Sequence, residues 1–154
     1  MNLYLVRHAD ASDAIIDSLR SLSKQGETDI KKVSNYIKNL NINVKTIYHS
    51  GKLRAEQTAI ELSKNIISET GIEARNDLNP MDNVESIIEF ISNETDDIML
   101  VGHLPFMNIL AASLTGKSEH DDNIQFPTAC LIHLQRLGSG WQLKLRISPN
   151  IIHE

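Results

Sequence analysis

The sequence predicts an α/β fold: a three-layer α/β/α sandwich with a mostly parallel central sheet and an antiparallel C-terminal hairpin. Short apolar runs typical of buried strands alternate with segments whose apolar residues recur at helical spacing. Near the C-terminus two strand-like runs follow each other across a Gly-Ser-Gly turn, which predicts the hairpin. The length of 154 residues suits one domain, and we predict a single domain over residues 1–154.

The first half of the chain alternates strictly between the two kinds of element. The predicted order is a strand at residues 3–6, a helix after Gly26, a strand at 44–48, a helix at 53–67 and a short edge strand at 72–75. In the first helix, the apolar residues that share one face are Ile30, Val33, Ile37 and Leu40. This face is expected to pack on the sheet.

The second half continues the alternation and then changes character. Its predicted elements are a helix around residues 84–91, a strand at 98–101, a helix with Pro105 in its first turn, a polar loop at 117–128 and strands at 129–135 and 141–147. The last two strands follow one another without a crossover helix, so they form the antiparallel edge of the predicted sheet.

Composition argues against several classes of function. The chain has 15 Lys and Arg against 20 Asp and Glu, a formal charge of −5, which disfavours a nucleic acid or an anionic membrane as main partner. The only cysteine, Cys130, excludes an intramolecular disulfide and a multi-thiolate metal site, and its apolar neighbours predict a buried thiol. With no apolar stretch long enough for a membrane span and no signal-peptide pattern, we expect a cytoplasmic protein.

Two histidines and two arginines follow three of the predicted strands. Arg7 and His8 come directly after the first strand, Arg54 follows the second, and His103 follows the strand at 98–101. Because the carboxyl ends of parallel strands meet at one edge of a sheet, we expect these side chains to converge. Guanidinium groups bind phosphate oxygens, and a neutral imidazole can attack phosphorus. The sequence therefore predicts a pocket that transfers or hydrolyses phosphate.

The same residues have other interpretations. Either histidine alone is more often an ordinary strand-end residue than a catalyst. Arg54 could pair with Glu56 or Glu61 on a solvated helix face. The two histidines could also join Asp10 in a metal site, although the adjoining arginines would repel a cation. Convergence, rather than any single residue, favours the phosphate pocket. No role is assigned to the remaining histidines, which are His49, His120, His133 and His153.

Four sequence blocks resemble the histidine phosphatase superfamily. In chain order they are Leu-Val-Arg-His-Ala-Asp-Ala at residues 5–11, Arg-Ser-Leu-Ser-Lys-Gln-Gly at 20–26, Leu-Arg-Ala-Glu-Gln-Thr-Ala at 53–59 and Val-Gly-His-Leu-Pro at 101–105. The resemblance is closest to the short SixA-type phosphohistidine phosphatases, whose overall length the chain shares. It implies a phosphoglycerate mutase-like fold, in agreement with the predicted sandwich.

The resemblance also implies a role for each matching residue. His8 would be the nucleophile, forming a phosphohistidine intermediate that water hydrolyses to inorganic phosphate. Arg7, Arg54 and His103 would bind the phosphate oxygens, and Arg20 matches a family arginine near the pocket. The arginine charges should disfavour protonation of His8 and keep it available as a nucleophile. Neither a metal nor an organic cofactor is implied.

The chain departs from the superfamily pattern at three places. Ala9 replaces the glycine that usually follows the Arg-His pair, a change that SixA-like members share, and Gly51 replaces a common proline. Pro80 stands where phosphomonoesterases and mutases of the superfamily carry an acidic residue. Asp77 and Asp82 flank that place, and either could supply a general acid.

The missing acid favours phosphohistidine as the substrate. An alkoxide leaving group needs a proton in the transition state, an effect worth about 10²–10⁴-fold, whereas the P–N bond of phosphohistidine is labile. The stretch between Arg54 and His103 is also too short for an insertion that would cap the pocket. We therefore predict hydrolysis of phosphohistidine on another protein, either a phosphorelay phosphotransfer domain or a phosphotransferase-system carrier. The alternatives are a small-molecule phosphomonoesterase with Asp77 or Asp82 as acid, and a phosphate-binding regulatory module with little turnover.

Overall fold

The computed structural model describes residues 1–152 of the chain. Its strands are β1 (Asn2–Arg7), β2 (Asn43–Val44), β3 (Thr46–His49), β4 (Ile67–Ser68), β5 (Ile72–Ala74), β6 (Ile98–Gly102), β7 (Leu131–Leu137) and β8 (Gly140–Ile147). Six of them form one sheet in the order β5-β3-β6-β1-β7-β8, and β2 pairs with β4 in a separate two-stranded sheet. The prediction of a single domain covers residues 1–154. Its last two residues, 153 and 154, lie outside the described residues.

The large sheet is parallel over four strands and antiparallel over the last two. β1 pairs in parallel with β6, and β3 pairs in parallel with both β5 and β6. β7 runs antiparallel to β1, and β8 runs antiparallel to β7. This confirms the predicted mostly parallel sheet with an antiparallel C-terminal hairpin.

Helices cover both faces of the sheet. The four α-helices of the described residues are α1 (Lys24–Ile37), α2 (Leu53–Ser63), α3 (Glu85–Ser92) and α4 (Phe106–Thr115). Short 3₁₀ turns lie at Lys38–Leu40, Asp122–Ile124 and Pro149–Ile151. α1 and α2 contribute to one hydrophobic cluster, and α3 and α4 contribute to the other, so the fold has the predicted three layers. No helix among residues 1–152 is long and apolar enough to cross a membrane.

The alternation of side chains along β1 shows why the sheet needs a helical layer on each face. Tyr4 and Val6 belong to the cluster with α1 and α2, whereas Leu3 and Leu5 belong to the cluster with α3 and α4. Residues of both kinds are almost completely buried, because successive side chains in a strand point to opposite faces. Burial of each such aliphatic side chain contributes roughly 1.5–3 kcal/mol to folding.

Element boundaries differ from the prediction at two places. The strand predicted at 44–48 is divided, because Val44 pairs in parallel with Ser68 in the small sheet and only Thr46–His49 joins the large one. The helix predicted at 53–67 ends at Ser63, and the chain then returns to strand β4, where the Ile67 amide donates to the Ile42 carbonyl oxygen at 3.0 Å. Local hydrophobicity cannot distinguish these cases, since both depend on a partner strand.

Helix α1 approaches the loop after β1 very closely. Ser23 caps the helix by accepting a hydrogen bond from the Gly26 amide at 3.0 Å, and the Ser23 amide donates to the Asp10 carbonyl oxygen at 3.0 Å. A Cβ atom at Gly26 would lie 2.0 Å from the Asp10 carbonyl oxygen, so only glycine fits there. This contact fixes the chain that follows His8 against the N-terminus of α1.

Candidate active site

His8 is the first residue after β1, and only 8% of its surface is exposed. Its backbone amide donates to the carbonyl oxygen of Gly102, the last residue of β6, at 2.9 Å. Ring atom Nδ1 lies 2.7 Å from the carbonyl oxygen of Ala9. Because a carbonyl oxygen only accepts hydrogen bonds, this contact assigns the ring hydrogen to Nδ1. Nε2 therefore keeps its lone pair, as a nucleophile requires.

The surroundings of His8 also keep it unprotonated. Its pKa is lowered from 6.5 to about 4, mainly because burial disfavours the charged ring. The positive charges of Arg54, Arg7 and Arg20 lower the pKa further, and the hydrogen bond to Ala9 opposes them. The ring is consequently neutral at pH 7.

A second histidine lies against the first. His103 directly follows β6, and its ring centroid is 4.9 Å from that of His8. Burial first, and then the charges of His8 and nearby basic side chains, lower its pKa to about 3. Its Nε2 lies 2.6 Å from the Ser50 hydroxyl, which also accepts a hydrogen bond from the Lys52 amide. Either atom can be the donor in this contact, so it orients the ring of His103 without fixing its tautomer.

Arg7 and Arg54 form no ion pair with a carboxylate of residues 1–152. One terminal nitrogen of Arg7 donates to the Phe126 carbonyl oxygen at 2.8 Å. Within residues 1–152, neither arginine is within 4.0 Å of an acidic side chain. The Nε atoms of both, and Nδ1 of His103, are buried without a hydrogen-bond partner among the described residues. Burial lowers the pKa of each arginine, which shows that its charge is poorly solvated.

Arg20 reaches the same region from the loop between β1 and α1. Its backbone is in the left-handed region, with φ of 51°, and its Nε donates to the Ser12 carbonyl oxygen at 3.1 Å. Its charge lowers the pKa of His8, of His103 and of Arg54. The structure therefore brings Arg20 together with the other four predicted residues at one edge of the sheet.

Side chains on one face of α2 bind the loops at this edge of the sheet. Arg54, Gln57 and Thr58 have the i, i+3, i+4 spacing that places side chains on the same side of a helix. The Thr58 hydroxyl accepts from the Ala9 amide at 3.0 Å, and the Gln57 side-chain oxygen accepts from the Leu22 amide at 2.8 Å. The helix that supplies Arg54 thus also fixes the turn after His8 and the end of the Arg20 loop.

Taken together, these groups form an anion-binding pocket with a nucleophile in it. Unpaired guanidinium groups and buried donors without partners attract an anion that offers several oxygen acceptors. A tetrahedral oxyanion such as phosphate has this property. The neutral Nε2 of His8 is the group that could attack it.

Comparison with known proteins points to one family. No family profile matches the chain. Over 119 residues, 74% of each chain, it is 28% identical to phosphohistidine phosphatase SixA of Escherichia coli (strain K12). It superposes on the solved structure of protein histidine phosphatase SixA complexed with tungstate with a TM-score of 0.85 and 23% identity, covering 97% of this chain and 98% of that one. These similarities support a SixA-type member of the histidine phosphatase superfamily.

The similarity to SixA indicates that the chain is a phosphatase. Its fold extends beyond the SixA branch. A phosphoserine phosphatase from Entamoeba histolytica, solved with phosphoserine, superposes with a TM-score of 0.72 at 13% identity, covering 96% of this chain and 97% of that one. The shared fold does not choose between the substrates of these relatives, so the choice depends on this chain's own residues.

Asp77 is poorly placed to act as a general acid. Arg75 donates to both of its carboxylate oxygens, at 2.9 and 2.8 Å, and the Ser86 hydroxyl donates to one of them at 2.9 Å. The hydrogen bonds from Arg75, followed by that from Ser86, lower the pKa of Asp77, although partial burial opposes them. Its carboxylate is therefore ionised at neutral pH and has no proton to donate.

Asp82 has a local structural contact. Its carboxylate accepts a hydrogen bond from the Asn79 amide at 2.9 Å, which closes a turn in the loop around Pro80. Neither Asp82 nor Asp77 forms a hydrogen bond with His8 or His103 within the described residues. In this arrangement neither flanking carboxylate substitutes for the acidic residue that Pro80 replaces.

The metal and ion-pair interpretations gain no support from the geometry. The Asp10 carboxylate accepts from the Ser23 hydroxyl at 2.6 Å, and residues 1–152 contain no cluster of three or more His, Cys, Asp or Glu side chains that could bind a metal. Arg54 has no carboxylate partner. Glu61 pairs with Lys64 at 2.7 Å, and Glu56 lies 4.0 Å from His49.

The residues without a predicted catalytic role lie in other environments. Cys130 is buried, and desolvation raises its pKa to about 11, so it is a thiol at neutral pH. His49 accepts from the Gly51 amide at 3.0 Å, and His133 stacks on Tyr4 at the opposite end of β1. His120 is exposed. His153 lies outside the described residues.

The functional residues that sequence reasoning missed are Ser50, Gln57 and Thr58. Gln57 and Thr58 lie in the sequence block at 53–59, and Ser50 directly follows β3, so proximity to Arg54 in the sequence was the available signal. Their partners, however, are distant: Thr58 binds a residue 49 positions away, and Ser50 binds one 53 positions away. Only the folded chain shows these contacts.

Proposed function

We propose that the protein hydrolyses protein-bound phosphohistidine through a phosphorylated His8 intermediate. The observation that carries this proposal is the neutral Nε2 of His8 in a pocket of unpaired arginines. The 28% identical relative is a phosphohistidine phosphatase, which supports the same substrate class. Arg7, Arg54 and His103 are proposed as the phosphate-binding residues, with Arg20 as a further cationic contact.

In the first step, the Nε2 lone pair of His8 attacks phosphorus. A P–N bond to His8 forms as the P–N bond of the substrate breaks, and the departing imidazole takes the bonding electron pair. It leaves as a neutral ring when its other nitrogen carries a hydrogen, so no external acid is required. The arginines and His103 stabilise the non-bridging oxygens during transfer.

In the second step, water attacks the phosphorylated His8. The new P–O bond replaces the P–N bond, His8 recovers its electron pair, and inorganic phosphate is the product. The low pKa of His8 favours its departure as a neutral imidazole. Both steps use nitrogen leaving groups, in keeping with a pocket in which Asp77 is held by Arg75.

The lack of a positioned general acid favours phosphohistidine over phosphate esters as the substrate. Hydrolysis of an alkyl phosphate would require a proton donor for the alkoxide, worth about 10²–10⁴-fold. The hydrogen-bonded positions of Asp77 and Asp82 offer none. A phosphomonoesterase therefore has less support than a phosphohistidine phosphatase.

The test compares two substrates and two histidine variants. Purified enzyme, His8→Ala and His120→Ala are each incubated with a phosphorylated histidine-phosphotransfer domain and, separately, with phosphoserine. We expect fast loss of phosphate from the domain, slow hydrolysis of phosphoserine and no turnover by His8→Ala. His120→Ala should match the unaltered chain because His120 is exposed and outside the pocket.

Three outcomes would contradict the proposal. Turnover by His8→Ala would rule out the covalent intermediate, and faster hydrolysis of phosphoserine would indicate a phosphomonoesterase. Tight binding of phosphate without turnover of any substrate would indicate a regulatory binding module. Quenching the reaction at alkaline pH and mapping the acid-labile phosphate by mass spectrometry should locate it on His8.

A further inference from the structure

The loop between β1 and α1 exposes three large aliphatic side chains. Ile15 is 94% exposed, Ile16 is 84% exposed and Leu19 is 69% exposed. Single exposed aliphatic residues are ordinary on protein surfaces, but three within five positions of one loop concentrate exposed apolar surface, as interaction sites do. We call Ile15, Ile16 and Leu19 the apolar loop patch.

Polar residues of the same loop hold its backbone. The Asp13 carboxylate accepts from the Ile15 amide at 2.9 Å, and its carbonyl oxygen accepts from the Ile16 amide at 3.0 Å. The Asp17 carboxylate accepts from the Leu19 amide at 3.1 Å. The two aspartates thus satisfy the backbone of the turn, and the aliphatic side chains between them are left facing outward.

The apolar loop patch adjoins Arg20, a residue of the proposed phosphate site, along the chain. Leu19 is the neighbour of Arg20, whose amide donates to the Asp17 carbonyl oxygen at 2.9 Å and whose charge lowers the pKa of His8. A ligand whose phosphate contacts Arg20 therefore lies beside the patch. A small phosphorylated metabolite would fill the pocket and leave the three aliphatic side chains in water. A macromolecule could cover them.

Charge indicates the chemistry of that macromolecule. The chain as a whole has a formal charge of −5, yet the pocket edge carries Arg7, Arg20, Arg54 and the nearby Lys52. The edge therefore combines local attraction for an anion with an apolar surface next to it. A folded protein that presents a phosphorylated histidine within an apolar surface would complement both features.

We propose that the apolar loop patch is the docking surface for the protein that carries the phosphohistidine. The phosphoryl group enters the pocket while the partner's apolar surface packs on Ile15, Ile16 and Leu19. This inference rests on the proposed function and adds the surface by which the substrate protein is selected. Contacts with the patch contribute to binding of the whole protein, and the chemistry at His8 does not depend on them.

The test separates docking from chemistry. The triple variant Ile15→Ser, Ile16→Ser, Leu19→Ser is assayed on a histidine-phosphotransfer domain phosphorylated with phosphoramidate and on free phosphohistidine. We expect kcat/KM for the domain to fall at least about tenfold, through KM, because the apolar contact is lost. Turnover of free phosphohistidine should be unchanged. The matched control, Ile67→Ser with Leu137→Ser, alters aliphatic residues that are 62% and 53% exposed elsewhere and should change neither rate.

Each contrary outcome has a distinct meaning. If the triple variant hydrolyses the phosphorylated domain as fast as the unaltered enzyme, the docking surface is wrong and the proposed function stands. Equal losses on both substrates would also overturn docking, since the loop would then act only by positioning Arg20. An unaltered enzyme that hydrolyses neither substrate would overturn the proposed function itself. A dimer in sedimentation velocity that the triple variant abolishes would assign the patch to a second copy of this chain.

Discussion

Polar groups at the two ends of β1 differ in whether they have hydrogen-bond partners within the fold. At its N-terminal end, the Asn2 backbone amide and side-chain amide donate to the Asp97 carboxylate at 2.6 and 3.1 Å. The Nε2 atom of His133 donates to the Asn2 side-chain oxygen at 2.8 Å, and its ring stacks on Tyr4 with centroids 4.6 Å apart. These polar groups satisfy one another within the fold.

An arginine at this end is satisfied as well. Arg136 donates to the carbonyl oxygens of Ile91 and Glu94, at 2.5 and 3.0 Å, where α3 ends. Its guanidinium also lies 4.8 Å from the centre of the Trp141 ring. Backbone carbonyls at a helix C-terminus attract cations, so this arginine stabilises the fold.

At the other end of β1, equivalent groups are left without partners. The Nε atoms of Arg7 and Arg54 and Nδ1 of His103 are buried and unbonded among the described residues. Buried donors without acceptors cost stability, typically about 1–3 kcal/mol each. The contrast indicates that the hydrogen-bonded polar groups at the N-terminal end of β1 stabilise the fold. The donors without partners at the other end lower stability but remain available to bind an anion.

The largest expected effect comes from substituting one arginine at each end of β1 and comparing the two variants. Arg54→Gln should lower kcat/KM for a phosphorylated histidine domain by about 10²–10³-fold, the usual cost of losing a donor to transition-state charge. Its free energy of unfolding without phosphate should stay the same or rise, because a charge that repels Arg20 is removed. Steady-state kinetics and urea unfolding measure the two quantities.

Arg136→Gln is the matched control. It should lower the free energy of unfolding by about 1–2 kcal/mol, since carbonyls of α3 lose their donor, and should change kcat/KM less than twofold. The contrast between the ends of β1 would be wrong if Arg54→Gln destabilised the fold as much as Arg136→Gln. It would also be wrong if Arg54→Gln kept full activity.

The next effect concerns pH and the histidines of the pocket. The folded-state pKa of His8, about 4, lies below the unfolded value of about 6.5. Between these values the unfolded chain binds a proton that the folded chain does not. The free energy of unfolding should therefore decrease as pH falls from 6.5 to 4, by about 3 kcal/mol for His8 alone at about 1.36 kcal/mol per pH unit.

Urea unfolding at pH 7.5, 6 and 5 without phosphate tests this expectation. His8→Asn should remove part of the decrease, whereas His120→Asn, on the exposed loop, should retain all of it. His49, His103 and His133 also have lowered pKa values and should supply the remainder. A pH dependence in His8→Asn identical to that of the unaltered chain would mean that the arginine-lined pocket does not depress the His8 pKa.

The sequence predicts the layers of the fold well because burial leaves a pattern in it. Strand β6 is buried on both faces and appears as a continuous apolar run, while α1 shows an apolar face at helical spacing. The predicted boundaries at Val44 and Ile67 were wrong, because strand β2, which contains Val44, pairs with strand β4, which contains Ile67, in the small sheet. An isolated apolar residue gives no sign of such a partner.

The candidate site divides in a similar way. Arg7, His8, Arg54 and His103 could be placed at one edge because each follows a strand or opens the helix after it. Arg20 lies on an irregular loop, so only the family resemblance singled it out, and its left-handed backbone is not readable from the sequence. The roles of these five residues stay predictions until the variants are measured.

Ser50 gives the smallest and most specific effect. Its hydroxyl lies 2.6 Å from Nε2 of His103, and when the hydroxyl donates, the ring hydrogen is on Nδ1, the buried atom without a partner among the described residues. Ser50→Ala should lower kcat about tenfold with little change in KM, as expected when a hydrogen bond that orients a functional histidine is lost. Ser50→Thr, which keeps the hydroxyl, should recover most of the activity. Nitrogen NMR of the imidazole would report the tautomer directly.

Ser34→Ala is the matched control, because this serine is equally buried and its hydroxyl donates to the Glu61 carbonyl oxygen at 2.9 Å, away from the pocket. Its loss should cost about 1 kcal/mol of unfolding free energy and leave kcat unchanged. A purely structural Ser50 would behave like Ser34, with lower stability and intact kcat. A positioning Ser50 would instead change kcat and the tautomer of His103 together, and the threonine variant would restore both.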